Sequence, residues 1–229
     1  MAADGMHRGG GSYIGRAQPL ATAGFPGFPM SDSPTRIFLD HAATTRMLPE
    51  ARAALERGLD SWANPSSPHA EGRKARALLE EARSNLADRL GWRHDVIFTS
   101  GASEAIGIVA RRALIPGRAH GATEHAIVFH EMGPASNLIP VGPDGLIDEQ
   151  ALDAVLAAGP ALVAIQMVNN ETGILQPLDR LYPRIREAGS LLLADCAQSA
   201  GKYPLPDADF IALSAHKLGG PAGIGALLV

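Results

Sequence analysis

The sequence predicts an α/β domain, a mostly parallel mixed sheet flanked by helices, and three observations lead there. Short runs rich in apolar and β-branched residues alternate with amphipathic stretches of helical period. At 229 residues the chain is long enough to bury one large core. Parallel strands need helical crossovers, and those crossovers cover the two faces of the sheet.

Residues 1–35 are rich in Gly, Pro, Ser and Ala with no apolar period. They cannot bury enough surface to offset chain entropy, so a disordered leader is expected, followed by an ordered domain over 36–229. Met30 stands just before SDSPTRIFLDHAATT, and a start codon assigned too early explains the same composition equally well.

Pro49 suits a first helical position, because its missing N–H and fixed φ cost nothing there. A helix over 49–60 then places Ala51, Ala54, Leu55 and Leu59 on one face. A longer helix over 71–90 carries Ala75, Leu78, Leu79, Ala82, Leu86 and Leu90 as its apolar stripe. Strands are expected at 96–99, 138–141, 161–168, 191–194, 210–213 and 224–229, with helical stretches after several of them. The last run, IGALLV, reads as a buried strand that a further element should cover, so a truncation there, with a C-terminal small domain missing, is the expectation.

The chain is 46% hydrophobic with a net charge of -4, a balance without the basic excess that nucleic acid or an anionic membrane would call for. Small metabolites are the expected partners. Cys196 is the one cysteine, so neither an internal disulfide nor a thiolate metal cage can be built, which fits the cytoplasm. Apolar stretches are broken well before about 18 residues, and the N-terminal region lacks a signal peptide's apolar core.

The sharpest motif is SAHKLGGPAGIGA, residues 214–226, where Lys217 follows a β-like run and precedes a Gly-rich turn. A lysine there could form an imine, although a lone lysine at a strand end is more often a solvated charge. Its neighbours add weight. LLLADCAQSAGK puts Asp195 at the carboxyl end of a very apolar strand, where open α/β sheets build their sites. A carboxylate so placed can keep a pyridine nitrogen protonated, as pyridoxal phosphate (PLP) requires to act as an electron sink. In VIFTSGASEAIGIVARRA a strand, a Gly-Ala-Ser turn and a helix follow one another, and the N–H groups that open the helix, with the Ser103 hydroxyl, make an anion site. Small residues at such a turn also serve simple helix-to-strand packing.

The ordered series LDHAATT, NPSSPHAEG, FTSGASEA, ATEHAIV, VNNETGILQPL, ADCAQSAGK and SAHKLGGPAGIGAL resembles the class V aminotransferase fold family over 37–229, and within it the cysteine desulfurases. The resemblance implies the large domain of a type I PLP-dependent transferase. It implies Lys217 as the Schiff-base lysine, which also moves the Cα proton, and Asp195 as the partner of the pyridine nitrogen. Gln198 would bond the phenolic oxygen, with Asn170 in the same region. His125 would stack on the ring and handle protons. Ala102, Ser103, Ser214 and His216 would form the phosphate cup. The bland alternatives are a core-satisfied His125 and a strand-capping Asn170.

The activity so implied removes sulfur from L-cysteine to give alanine and a persulfide, in a homodimer that hands sulfur to an acceptor protein, with iron–sulfur cluster assembly as one use. The family's nucleophilic cysteine lies in a loop of a C-terminal domain that has no counterpart before Val229, as do the substrate-binding arginine and a partner-subunit phosphate contact. Cys196 is expected to be a packing residue, since strand alternation turns it away from the face of Asp195 and burial weakens its thiol as a nucleophile. Ser103 where the family usually has Thr, Gly107 where it often has Asn, and short loops after His125 and Lys202 leave the specificity open. Selenocysteine lyase or another class V activity, or an inactive PLP-binding remnant, are the alternatives.

Overall fold

The computed structural model describes residues 37–229; the expected leader lies outside the described residues. Six helices and seven strands follow one another there: α1 Pro49–Leu59, α2 Ala70–Leu90, β1 Val96–Thr99, α3 Ala102–Arg112, β2 Gly117–Gly121, α4 Ala126–Met132, β3 Asn137–Ile139, α5 Glu149–Ala157, β4 Ala161–Gln166, α6 Leu178–Glu187, β5 Leu191–Asp195, β6 Phe210–Ser214 and β7 Gly225–Leu228. A single 3-10 turn, Ala215–Lys217, follows β6.

The strands form one sheet in the order β1-β7-β6-β5-β4-β2-β3. Every pairing from β6 through to β3 is parallel, while β7 runs antiparallel to both β6 and β1. All six residues of β4 are buried, as both-face coverage demands. Side chains alternate between two apolar layers: Leu192 and Ile165 pack with Leu152 of α5 and Leu181 of α6, whereas Leu193 and Leu162 pack with Ile106 of α3 and Val128 of α4.

Local chemistry starts and stops the helices. His69 accepts the Gly72 N–H at the head of α2, and Gly91 closes that helix in the left-handed region. Asp148 accepts the N–H groups of Gln150 and Ala151 at the head of α5.

The structure departs from the sequence expectation in three places. β2, with the sequence GRAHG, lacks β-branched residues and was not expected; it is a strand because it pairs with β3 on one side and β4 on the other, with Ala119 and His120 buried. The apolar faces expected for the first two helices are largely uncovered: α1 buries no residue, and α2 buries only Gly72 and Ala75. Leu55, Leu59, Leu78 and Leu79 are exposed because no described element packs on them. The strand ends also move by a few residues, β3 stopping at Ile139 and β4 at Gln166.

β7 is held on both sides, and its first residue locks the sheet to α3. Gly225 pairs with Thr99 on one side and Ser214 on the other. A Cβ there would lie 2.4 Å from the Leu213 carbonyl oxygen and 2.6 Å from the Gly101 Cα, so only glycine lets these three backbones meet. Gly225→Ala is expected to destabilise the fold by about 1–3 kcal/mol in denaturant unfolding. A midpoint unchanged from wild type would show that the backbone yields freely at this point.

Candidate functional site

The carboxyl ends of the parallel strands converge on a cavity of about 670 Å³. Each wall comes from a different element. Asp195 is the last residue of β5 and Ser214 the last of β6, and the 3-10 turn that follows presents His216 and Lys217. His125 is the N-cap of α4, where its own Nδ1 accepts the Ile127 N–H at 3.3 Å. Asn170 comes from the turn beyond β4, and Ala102 and Ser103 open α3. All eight of these sequence-predicted residues line the one cavity.

Gln198, the ninth, does not contribute to that lining; its side-chain amide donates to the Ala42 carbonyl at 2.8 Å. It thereby holds a strap formed by the LDHAATT segment, whose Asp40, Ala42 and Ala43 make a further wall. The strap is tied again at the lysine turn. Thr45 donates to the His216 carbonyl from both its N–H, at 2.8 Å, and its hydroxyl, at 2.9 Å, and its Oγ1 accepts the Gly219 N–H at 2.8 Å. Thr44 adds a contact of 3.1 Å to the His216 ring. Nothing local in the Thr-Thr pair of LDHAATT signals this role, since its partners lie more than 170 residues away in the chain.

The charged groups are tuned by burial and by one another. Burial pushes the Asp195 carboxyl up; the Ala197 N–H, which donates to its Oδ1 at 2.9 Å, and the charges of Lys217 and His125 pull it back. The Lys217 amine is held below the ordinary lysine range chiefly by burial, with Asp195 pulling it up and Lys202 pushing it further down. Burial, and then Lys217, lowers His216. A lysine so depressed supplies more neutral amine at a given pH, which is the form that attacks a carbonyl.

Cys196 is fully buried in the apolar layer opposite Ala197, and its thiol is pushed up to about 12, chiefly by burial. It remains a thiol at neutral pH and packs, as strand alternation implied.

Two residues next to the site went unread in the sequence. Glu124 is buried immediately before His125, with Oε1 accepting the main-chain N–H of Gln166 at 2.8 Å. Asn169, rather than its neighbour Asn170, is the structural hub of the VNNE turn: its Oδ1 accepts the N–H groups of Glu171, at 2.9 Å, and Thr172, at 2.8 Å, and its amide donates to the Thr123 carbonyl at 3.0 Å.

The donor set suits one kind of molecule. The α3 N-cap is Gly101, which offers no side-chain cap, so the first amides of that helix remain for an anion. Ser103, Ser214 and His216 share the cavity with them. Asp195 is a half-buried carboxylate suited to a protonated ring nitrogen, and Lys217 offers an amine to an aldehyde. A phosphorylated pyridine aldehyde has these three features.

The family model "Aminotransferase class-V" matches residues 37–229. The chain belongs to this family. Its members are pyridoxal 5′-phosphate enzymes, and the cavity's donor set fits that cofactor. The chain is 38% identical over 211 residues to a cysteine desulfurase of Cereibacter sphaeroides, covering 84% of this chain and 54% of the relative. It is 37% identical to an IscS-like cysteine desulfurase of Mycobacterium tuberculosis, covering 84% of this chain and 55% of that one. Among solved structures, a NifS-like protein from Rickettsia africae superposes with a TM-score of 0.78 at 32% identity, covering 83% of this chain and 57% of that one. A structure described as SspA in complex with cysteine gives a TM-score of 0.74 at 31% identity, covering 85% of this chain and 61% of that one. The chain spans about half the length of the curated relatives it matches. Its sheet and flanking helices are those of the large domain of the type I PLP-dependent transferases.

Proposed function

We propose that this chain is a PLP-binding large domain over 36–229, holding the cofactor through Lys217, and that it serves the desulfuration of L-cysteine to alanine and a persulfide. The observation that carries the proposal is the convergence of Lys217, Asp195, His125 and the head of α3 on one cavity, in a chain similar to cysteine desulfurases. When bound, PLP supplies an electron sink for an amino acid attached to it.

Asp195 would hold the proton on the ring nitrogen, and the His125 imidazole would lie against the ring. The α3 amides, Ser103, Ser214 and His216 would hold the phosphate. Asn170 would bond the phenolic oxygen, and Gln198, outside the cavity lining, would hold the strap that forms its further wall. Lys217 Nζ, set free when substrate takes its place, would carry the proton to and from Cα.

The sulfur leaves on a second thiol: the cysteine C–S bond breaks, an S–S bond forms on the accepting sulfur, and the thiol's proton replaces sulfur on what becomes alanine. Cys196 is buried and protonated, and it is the only cysteine in these 229 residues, so the accepting thiol is supplied from outside them. The same reading extends to a cytoplasmic homodimer that passes sulfur to an acceptor protein, with iron–sulfur cluster assembly as one destination; its support is the likeness to IscS-like and NifS-like proteins. No helix among the described residues is long and apolar enough to cross a membrane.

The test is alanine formation from L-cysteine with PLP and dithiothreitol as the accepting thiol. Wild-type chain is expected to form alanine well above the Lys217→Ala chain. Equal output from the two would overturn the proposed activity. Cofactor binding without alanine would overturn desulfuration by this chain while leaving the binding site in place.

A further inference from the structure

We propose that Glu124 is a positioning residue that fastens the segment carrying His125 to the end of β4, beside Asp195. The inference rests on the reading that His125 and Asp195 face the cofactor. Residues 123 and 124 are gripped from one side by β4 and the turn after it. Glu124 Oε1 takes the Gln166 N–H at 2.8 Å; the Gln166 side-chain amide donates to the Thr123 carbonyl and, at 3.1 Å, to Thr123 Oγ1; the Asn169 amide donates to the same carbonyl at 3.0 Å. Gln166 is itself the register partner of Asp195, and the next residue, Met167, donates its N–H to the Asp195 carbonyl at 2.9 Å. The clasp therefore links the two groups expected to sandwich and protonate the ring. Gly121 leaves room for it, since a Cβ at that position would lie 2.9 Å from Glu124 Oε1.

The state of the carboxyl follows from its surroundings. Among the described residues, Glu124 Oε2 is the one buried side-chain oxygen or nitrogen without a hydrogen-bond partner. An ionised carboxylate could not keep an oxygen in that condition cheaply, whereas a carboxylic acid leaves one unpaired O–H, a smaller cost than an uncompensated buried charge. Burial pushes Glu124 well above the usual carboxylate range, the Gln166 N–H offsets part of this, and the negative charge of Asp195, on β5, adds to it. Glu124 thus acts as a neutral clasp, and Asp195 remains the carboxylate of the pair that ionises against a bound ring.

The sign of the pH effect is fixed by this. A carboxyl whose folded-state pKa is raised contributes its full stability below the unfolded value of about 4.3, and that contribution is lost as pH climbs toward the folded value. The substitution Glu124→Gln would keep the acceptor for the Gln166 N–H and remove the titrating proton, its amide N–H groups taking the place of Oε2.

Two measurements on the full chain decide the matter. Without cofactor, the thermal midpoint of Glu124→Gln minus that of wild type is expected to become more positive from pH 5 to pH 8; a difference that stays flat or becomes more negative overturns the neutral clasp. With PLP, Glu124→Gln is expected to bind within about twofold of wild type, and Glu124→Ala about tenfold more weakly, as loss of one buried hydrogen bond implies. A Gln variant as weak as the Ala variant, or an Ala variant equal to wild type, overturns the positioning role. If the Ala variant fails to fold, the comparison of Gln with wild type still decides. If wild type binds no PLP, the cofactor reading falls, and the cofactor-free melting series still judges Glu124.

Discussion

Replacing Lys217 with alanine is expected to abolish the visible absorption that develops when PLP binds the chain. Lys217 ends the turn after β6, lines the cavity with Asp195, and has its amine lowered mainly by burial. The sequence contains two other lysines. Lys202 gives its ammonium to the Gln198 carbonyl at 3.0 Å, and Lys74 lines a separate hollow beside α2. Neither stands in the cavity lining, so neither should restore the band. Titration of wild type and variant with PLP, followed by absorbance, checks this; a variant spectrum identical to wild type would remove Lys217 from its role.

The second large effect is expected from Asp195→Asn. The substitution preserves an oxygen for the Ala197 N–H but removes the charge that would hold the ring nitrogen's proton. Losing one member of a buried charge pair costs about 2–5 kcal/mol, so alanine formation should fall by roughly thirty-fold to a few thousand-fold. The same variant carries a signed pH effect. Asp195 pulls the Lys217 pKa up, so its removal makes the neutral amine available at lower pH, and the pH profile for capture of PLP should shift downward. Alanine rates near wild type, or a capture profile that moves upward, would contradict the assigned role of Asp195.

Legibility of the sequence differed between elements for physical reasons. The strands β4, β5 and β6 could be read because burial on both faces makes them continuous apolar runs, and the motif at the end of each announces its chemistry. β2 could not, since GRAHG owes its strand state to partners distant in the chain. The site residues were legible one motif at a time, yet their supports were not. Glu124 sits inside ATEH, where His125 draws attention, and its importance lies in a hydrogen bond to Gln166, 42 residues on. Gly225 looks like one more glycine in a Gly-rich turn until β1, β6 and α3 are brought against it. The helical periods of α1 and α2 located the helices, while coverage of their apolar stripes depends on what packs there, which a local period does not encode.

If Lys217 is the cofactor's point of attachment, borohydride reduction of the PLP-loaded chain followed by peptide mapping will fix the cofactor there. With three lysines in the sequence, the mass of the reduced pyridoxyl group has few places to fall. The expected result is that mass on the peptide containing Lys217; its appearance on Lys202 or Lys74 instead, or on no peptide at all, would rule Lys217 out.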